Sequence, residues 1–159
     1  MPDPAVLPAV LFVCLGNICR SPLAQAAFDQ AASRQGIDIT SDSAGTGDWH
    51  IGRPPDQRAQ DEAMRNGIDI SSYRARQVTA RDFTDFTHIL ALDHTNLSDL
   101  KQLRPPGAMA RLSLLLDHVP GMSGKEVADP YFGYAAGFAQ TWQEVASAAE
   151  ALARKLAAK

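Results

Sequence analysis

Four consecutive apolar residues, Val10-Leu11-Phe12-Val13, run into a mixed segment, Cys14-Leu15-Gly16-Asn17-Ile18-Cys19-Arg20-Ser21; beyond it apolar positions return at helical spacing as Leu23, Ala26, Ala27 and Ala31. The first run is short, β-branched and aromatic, which predicts a buried strand, and the second predicts a helix opened by Ser21-Pro22, where proline is tolerated in the first turn. The alternation continues. Residues 37–44 predict a second strand, followed by a loop containing Gly45, Gly47, Gly52 and Pro54-Pro55. Residues 56–66 predict a helix ended by Gly67, and residues 88–92 a third strand. Asp93 is placed to cap a helix running to about Leu103, with Pro105-Pro106-Gly107 as the breaker. Residues 111–116 predict a fourth strand, and residues 136–159 an alanine-rich helix whose stripe Phe138, Trp142, Val145, Ala149, Leu152, Leu156 reads as core packing.

Strand and helix in alternation predict an α/β fold, a single three-layer domain with a four-stranded parallel sheet and helices on both faces. Residues 1–8 read as a short tail and residues 9–159 as one domain, with no internal repeat. In an open parallel sheet ligands sit beyond the carboxyl ends of the strands, which is where Cys14 falls.

The loop from Cys14 to Ser21 therefore joins a strand end to a helix amino terminus. Unpaired N–H groups and the helix dipole favour anions there, and Gly16 lets the loop curl so that successive amides converge, which predicts a phosphate-binding loop after the first strand. Leu15, Gly16, Asn17, Ile18, Cys19 and Ser21 form its wall. Arg20 brings a planar fork that matches two phosphoryl oxygens at once. The same surroundings are expected to lower the Cys14 pKa from about 8.5 toward roughly 3.5–7.5. The gain in thiolate is nearly cancelled by lost nucleophilicity, so positioning and charge are expected to carry the catalysis, together with Cys14 as a good leaving group. Ser21 is either a simple helix cap or a donor to the Cys14 sulfur as well.

With 159 residues and no strong need for a staple, the chain is long enough to bury its own core. A net charge of −3 argues against nucleic acid as partner. No apolar run reaches the roughly 18 residues of a membrane span, and the first residues lack the pattern of a signal peptide, so a cytoplasmic protein is expected. The two cysteines both lie in the loop, and the four histidines, His50, His88, His94 and His118, show no zinc-ligand spacing; neither a metal nor a cofactor is expected. Arg53 and Arg58 read as solvated surface residues rather than as attractants of an acidic partner.

The stretch 10–27 resembles the signature of the low-molecular-weight protein tyrosine phosphatases. The likeness continues along nearly the whole chain, through Ser43-Ala44-Gly45-Thr46, the Trp49 loop, Ala75-Arg76-Gln77, Leu92-Asp93 with Asn96-Leu97, and Asp129-Pro130-Tyr131-Phe132-Gly133. The resemblance implies that Cys14 is the nucleophile, Arg20 the phosphate clamp and Asp129 the general acid, later the base toward water. A phenolate of pKa about 10 is a slow leaving group without a proton, so the chemistry asks for such an acid, although Asp129-Pro130 taken alone reads first as turn punctuation. Trp49 and Tyr131 correspond to the aromatic walls of the family's substrate slot, with Phe132 standing where a second tyrosine is common; Tyr131 and Tyr134 remain as tyrosines. Ser43 and Asp93 are expected to support the loop from behind. Tyr73 stands where many members have a histidine that supports the residue corresponding to Asn17, and its hydroxyl is a candidate substitute. A reversible bond between Cys19 and the nucleophile is also implied, against a packing role for Cys19.

The expected activity is hydrolysis of phosphotyrosine in proteins through a cysteinyl-phosphate intermediate, with inorganic phosphate or other oxyanions as inhibitors. Three other readings turn on particular residues. Related arsenate reductases use further cysteines downstream, and none follows Cys19. Related arginine phosphatases tend to have threonine where Ile18 stands. A non-catalytic phosphoprotein-binding module would be expected to lack the nucleophile or the acid, and both are present.

Overall fold

The computed structural model describes residues 7–133 and 135–158; most of the expected tail, Tyr134 and Lys159 lie outside the described residues. Strand β1 (Ala9–Cys14) is an inner strand, paired in parallel with β2 (Thr40–Gly45) on one side and β3 (His88–Ala91) on the other, with β4 (Arg111–Leu114) beyond β3. The order β2-β1-β3-β4 reverses direction at β1, and Cys14, opposite Gly45 in the register, ends the strand at that reversal. Crossover helices leaving β1 and its neighbour diverge there, opening a crevice into which β1 delivers its last residue.

The unbroken apolar character of residues 10–13 has its reason in burial on both faces. Val10 and Phe12 point into one core, which they share with Leu23 and Phe28 of α1 (Arg20–Arg34) and Phe138, Val145 and Leu152 of α5 (Ala135–Ala157). Leu11 and Val13 point into the other, with Phe83 of α3 (Asp82–Asp85), Leu100 of α4 (His94–Leu103) and Leu114. The fifth helix, α2 (Gln57–Arg65), packs on the α1/α5 side. Every residue of the expected α5 stripe is buried.

Caps fall where local chemistry puts them. Asp56 accepts from the Arg58 amide at the start of α2, and Asp93 accepts from the Asn96 amide at the start of α4. Two strand ends differ from expectation. Residues 37–39 are not paired: Gly36, at φ +71°, turns the chain off α1, and the Ile37 amide bonds back to Ala32, so β2 begins only at Thr40. Ile37 and Ile39 still pack on the core, which is why they read as strand. Leu115 and Leu116 likewise belong to a 3-10 turn (Leu115–His118) rather than to β4, with Asp117 accepting from the Leu114 amide at its start. Short apolar runs fix burial but not period.

Candidate active site

Because β1 ends on a buried face, the loop it feeds starts inside the protein. Cys14, Asn17, Arg20 and Ser21 are all buried. The exit of β2 runs alongside and takes up the loop carbonyls: the Thr46 amide donates to Cys14 and the Gly47 amide to Leu15, both at 2.9 Å. This approach needs Gly45, since a Cβ there would sit 2.7 Å from the Leu15 carbonyl oxygen. The amides of Gly16, Ile18 and Cys19 make no hydrogen bond to any described residue, and all three residues line the cleft.

Asn17 holds the loop's shape. Its backbone lies in the left-handed region at φ +58°, which asparagine tolerates better than most side chains. Its amide nitrogen donates to Ser21 Oγ at 2.8 Å and Ser43 Oγ at 3.0 Å, while its Oδ1 accepts from the Arg76 backbone at 3.0 Å. Ser43 in turn donates to Gln25 Oε1 at 2.8 Å. With Ser21 Oγ accepting a hydrogen bond from the Asn17 side chain, its own hydrogen is free for Cys14 Sγ, 3.0 Å away; the Asn17 backbone amide is the second donor to that sulfur, at 3.3 Å. One chain of hydrogen bonds thus sets the direction of the serine hydroxyl toward the sulfur.

Arg20 is 3% exposed. Its Nη1 donates to Asp93 Oδ2 at 2.8 Å and to the Val127 carbonyl at 2.9 Å, while Nη2 lies 3.6 Å from Asp129 Oδ2. Burial works against the charge, yet Cys14, Asp93 and Asp129 outweigh it and raise the Arg20 pKa above its ordinary value. Asp93 uses one oxygen for the α4 cap and the other for Arg20, so a helix start fixes the arginine's azimuth. Asp129 sits on an exposed turn with Pro130 buried behind it; its Oδ1 accepts from the Tyr131 amide at 3.0 Å.

Cys14, Leu15, Gly16, Ile18, Cys19 and Arg20 form the floor of a cleft of about 220 Å³, and Trp49, His50, Asp129, Tyr131 and Phe132 its rim. The Trp49 ring folds over Gly47, where any Cβ would collide with it. Tyr131 meets Phe132 edge-on with centroids 4.9 Å apart, leaving Phe132 on the outer lip. Both cysteines are free thiols, and burial, then the charge of Asp56, push the Cys19 thiol well above its ordinary range. Among the described residues no three His, Cys, Asp or Glu side chains gather as a metal-ligand set, and no helix is long and apolar enough to cross a membrane.

Tyr73 stands apart from this network. It is half-buried against the larger core, with its hydroxyl pushed up to about 12 by burial and by Asp29 and Asp42, and it is not among the partners of the Asn17 side chain. The support expected of Tyr73 comes instead from Ser43 and the Arg76 backbone. Arg76 is pinned by a two-pronged bond to Asp82 at 3.0 Å and by Asp42 at 3.1 Å. Sequence reasoning also missed His50, whose ring covers Gly16, and misjudged Arg58, which is half-buried against the Asp129 turn. The Asp56-x-Arg58 spacing at a helix start was the available signal.

A thiol and an arginine fork on one anion-binding loop, faced by a carboxylate across an aromatic-rimmed cleft, define a cysteine-dependent phosphatase. The family model for low molecular weight phosphotyrosine protein phosphatase matches residues 9–159. The chain is 40% identical over 146 residues to the low molecular weight protein-tyrosine-phosphatase YfkJ of Bacillus subtilis, covering 91% of this chain and 92% of that one. It is 40% identical over 151 residues to the human low molecular weight phosphotyrosine protein phosphatase, covering 92% and 94%. The crystal structure of YfkJ superposes with a TM-score of 0.89 at 37% identity, covering 98% of each chain. A more distant likeness, TM-score 0.85 at 25% identity over 94% of this chain and 95% of that one, is to the YwlE arginine phosphatase, in a cysteine-to-serine mutant with a phosphorylated active-site serine. The chain belongs to the low molecular weight phosphotyrosine protein phosphatase family.

Proposed function

We propose that this protein hydrolyses phosphotyrosine in proteins by two in-line displacements through a cysteinyl phosphate on Cys14. In the first, the Cys14 thiolate attacks phosphorus, the bond to the phenolic oxygen breaks, and Asp129 gives that oxygen its proton. In the second, Asp129 takes a proton from water as the water attacks phosphorus, and the S–P bond breaks to release phosphate and thiolate. Transfer of this kind is mostly positioning and charge stabilisation. The Arg20 fork and the unpaired amides of Gly16, Ile18 and Cys19 are the groups suited to the three equatorial oxygens. Inorganic phosphate and similar oxyanions should occupy the same place and inhibit.

The observation that carries the reading is the convergence of Cys14, Arg20 and Asp129 on one cleft, with Arg20 between the other two. For the leaving group, Trp49 and Tyr131 offer apolar faces to a ring, and Ile18 offers no polar atom to a guanidinium. The kinship with an arginine phosphatase makes that group the relevant competitor. Phosphate release from a phosphotyrosyl peptide is therefore compared with release from phosphoarginyl and phosphoseryl peptides. Fast release from phosphotyrosine alone is expected. Preference for phosphoarginine overturns the ring slot while keeping the nucleophile, and silence on all three with phosphate still bound leaves a binding module.

A further inference from the structure

Residues 129–133 carry the carboxylate and the aromatic rim, yet they belong to no strand or helix. Their own hydrogen bonds are internal: the Tyr131 amide to Asp129 and the Gly133 amide to Pro130. Among the described residues, the hydrogen bonds that tie this turn's backbone to another element all come from Arg58. Its Nη2 donates to the Tyr131 carbonyl at 2.9 Å and its Nη1 to the Gly133 carbonyl at 3.0 Å. The guanidinium is itself held. Asp56 accepts from Arg58 Nε and Nη2, both at 2.9 Å, and the plane lies 4.7 Å over the buried Phe138 ring of α5. Asp56 is anchored in turn, because its backbone amide donates to the Ile18 carbonyl of the phosphate loop at 2.9 Å. A continuous path therefore joins the floor of the cleft to its rim: Ile18, Asp56, Arg58, then the carbonyls of Tyr131 and Gly133. Four of the five guanidinium hydrogens are used in fixed directions, which an ammonium group on a flexible stem does not reproduce.

We propose that Arg58 is a positioning residue for protonation of the leaving group, setting the distance from the Asp129 carboxyl to the departing oxygen by locking the turn to the phosphate loop. The inference rests on Asp129 being the general acid. None of the Arg58 hydrogen bonds reaches Arg20 or an amide of the phosphate loop.

The test is the dependence of kcat/KM, which reports the first displacement alone, on the leaving group, using phenyl phosphate and the more readily expelled p-nitrophenyl phosphate, in the wild type, Arg58→Ala, Arg58→Lys, Asp129→Ala and the double Arg58→Ala/Asp129→Ala variant. Misplacing a catalytic group by about 1 Å costs on the order of 10²-fold, so Arg58→Ala should lower kcat/KM on phenyl phosphate at least about tenfold, and on p-nitrophenyl phosphate no more than about twofold. Inhibition by inorganic phosphate should be unchanged, and Arg58→Ala should cost nothing further once Asp129 is gone. Arg58→Lys, which keeps the stem and the charge, should show the same selectivity in weaker form, and it carries the comparison if the alanine variant does not fold. Equal losses on both substrates, additivity with Asp129→Ala, or weakened phosphate inhibition overturns the proposal. If Asp129→Ala discriminates between the substrates and neither Arg58 variant does, this proposal alone fails; if Asp129→Ala does not discriminate, the acid assignment fails and takes this one with it.

Discussion

The floor and the rim of the cleft are built on opposite plans. The floor hangs from the end of an inner strand, and its side chains are tied by bonds to β2, to the α4 cap and to the Arg76 backbone; Asn17 and Arg20 are each 3% exposed. The rim is made of turns, and Trp49 is 66% and Phe132 95% exposed. The difference matches what each part must meet. A phosphoryl group has one shape and one charge in every substrate, so a rigid, desolvated nest can be fitted to it once and strengthens every electrostatic contact inside. The groups attached to it vary, and an exposed aromatic lip, its Tyr131–Phe132 part tied down through Arg58, suits that variety.

If the division is real, changes on the floor should destroy turnover and changes on the rim should shift substrate preference. The largest effect is expected from Cys14→Ser, which should reduce phosphotyrosine turnover at least about 10⁴-fold, since losing a nucleophile removes the whole covalent route. Phosphate affinity, measured by calorimetry, should stay within severalfold because Arg20 and the amides remain. Next comes Asn17→Ala. It removes two buried hydrogen bonds and a partly buried one and strands the Arg76 amide, at about 1–3 kcal/mol for the stranded group. Both the denaturation midpoint and kcat/KM should fall, the latter about ten- to hundredfold; a loss confined to stability would separate loop shape from catalysis. Trp49→Ala is a rim change, and it should raise KM for a phosphotyrosyl peptide by about fivefold, in line with roughly 1 kcal/mol of aromatic contact, with kcat little altered. Smallest is Tyr73→Phe, which should change kcat and KM by less than about twofold, because the hydroxyl is outside the Asn17 network. A larger loss there, read from steady-state kinetics, would place Tyr73 back in the floor.

Legibility in the sequence followed the same line between local and distant causes. The strand, the loop and the helix opening at 10–27 were readable because each depends on neighbours in sequence, and the same holds for the cap Asp93. Residues 37–39 and 115–116 misled because apolar pairs packed on the core outside a strand, as Ile37 and Ile39 or Leu115 and Leu116 are, carry the same signal as a pair within one. The long-range partners of Arg58 and Arg76 were hidden for another reason. In a chain rich in arginine and aspartate, the particular pairing of Arg76 with Asp42 and Asp82, or of Arg58 with two carbonyls more than seventy residues away, is decided by tertiary geometry. Tyr73 was a candidate only through a resemblance, and the Asn17 side chain is instead bonded to Ser21, Ser43 and the Arg76 backbone.

The contacts that shape the phosphate loop reach far along the chain, from Asn17 to Arg76, and from Arg20 to Asp93 and Val127, across separations of 59, 73 and 107 residues. Contacts of that span are slow to form, because the chain between them must be ordered first. Helix α1 can coil early on local terms, but the nest at its amino terminus cannot close until β3, the start of α4 and the segment before Asp129 have all arrived. During refolding from denaturant, enzymatic activity should therefore return after far-ultraviolet circular dichroism has recovered, which makes catalysis itself a late-stage reporter of this domain's assembly.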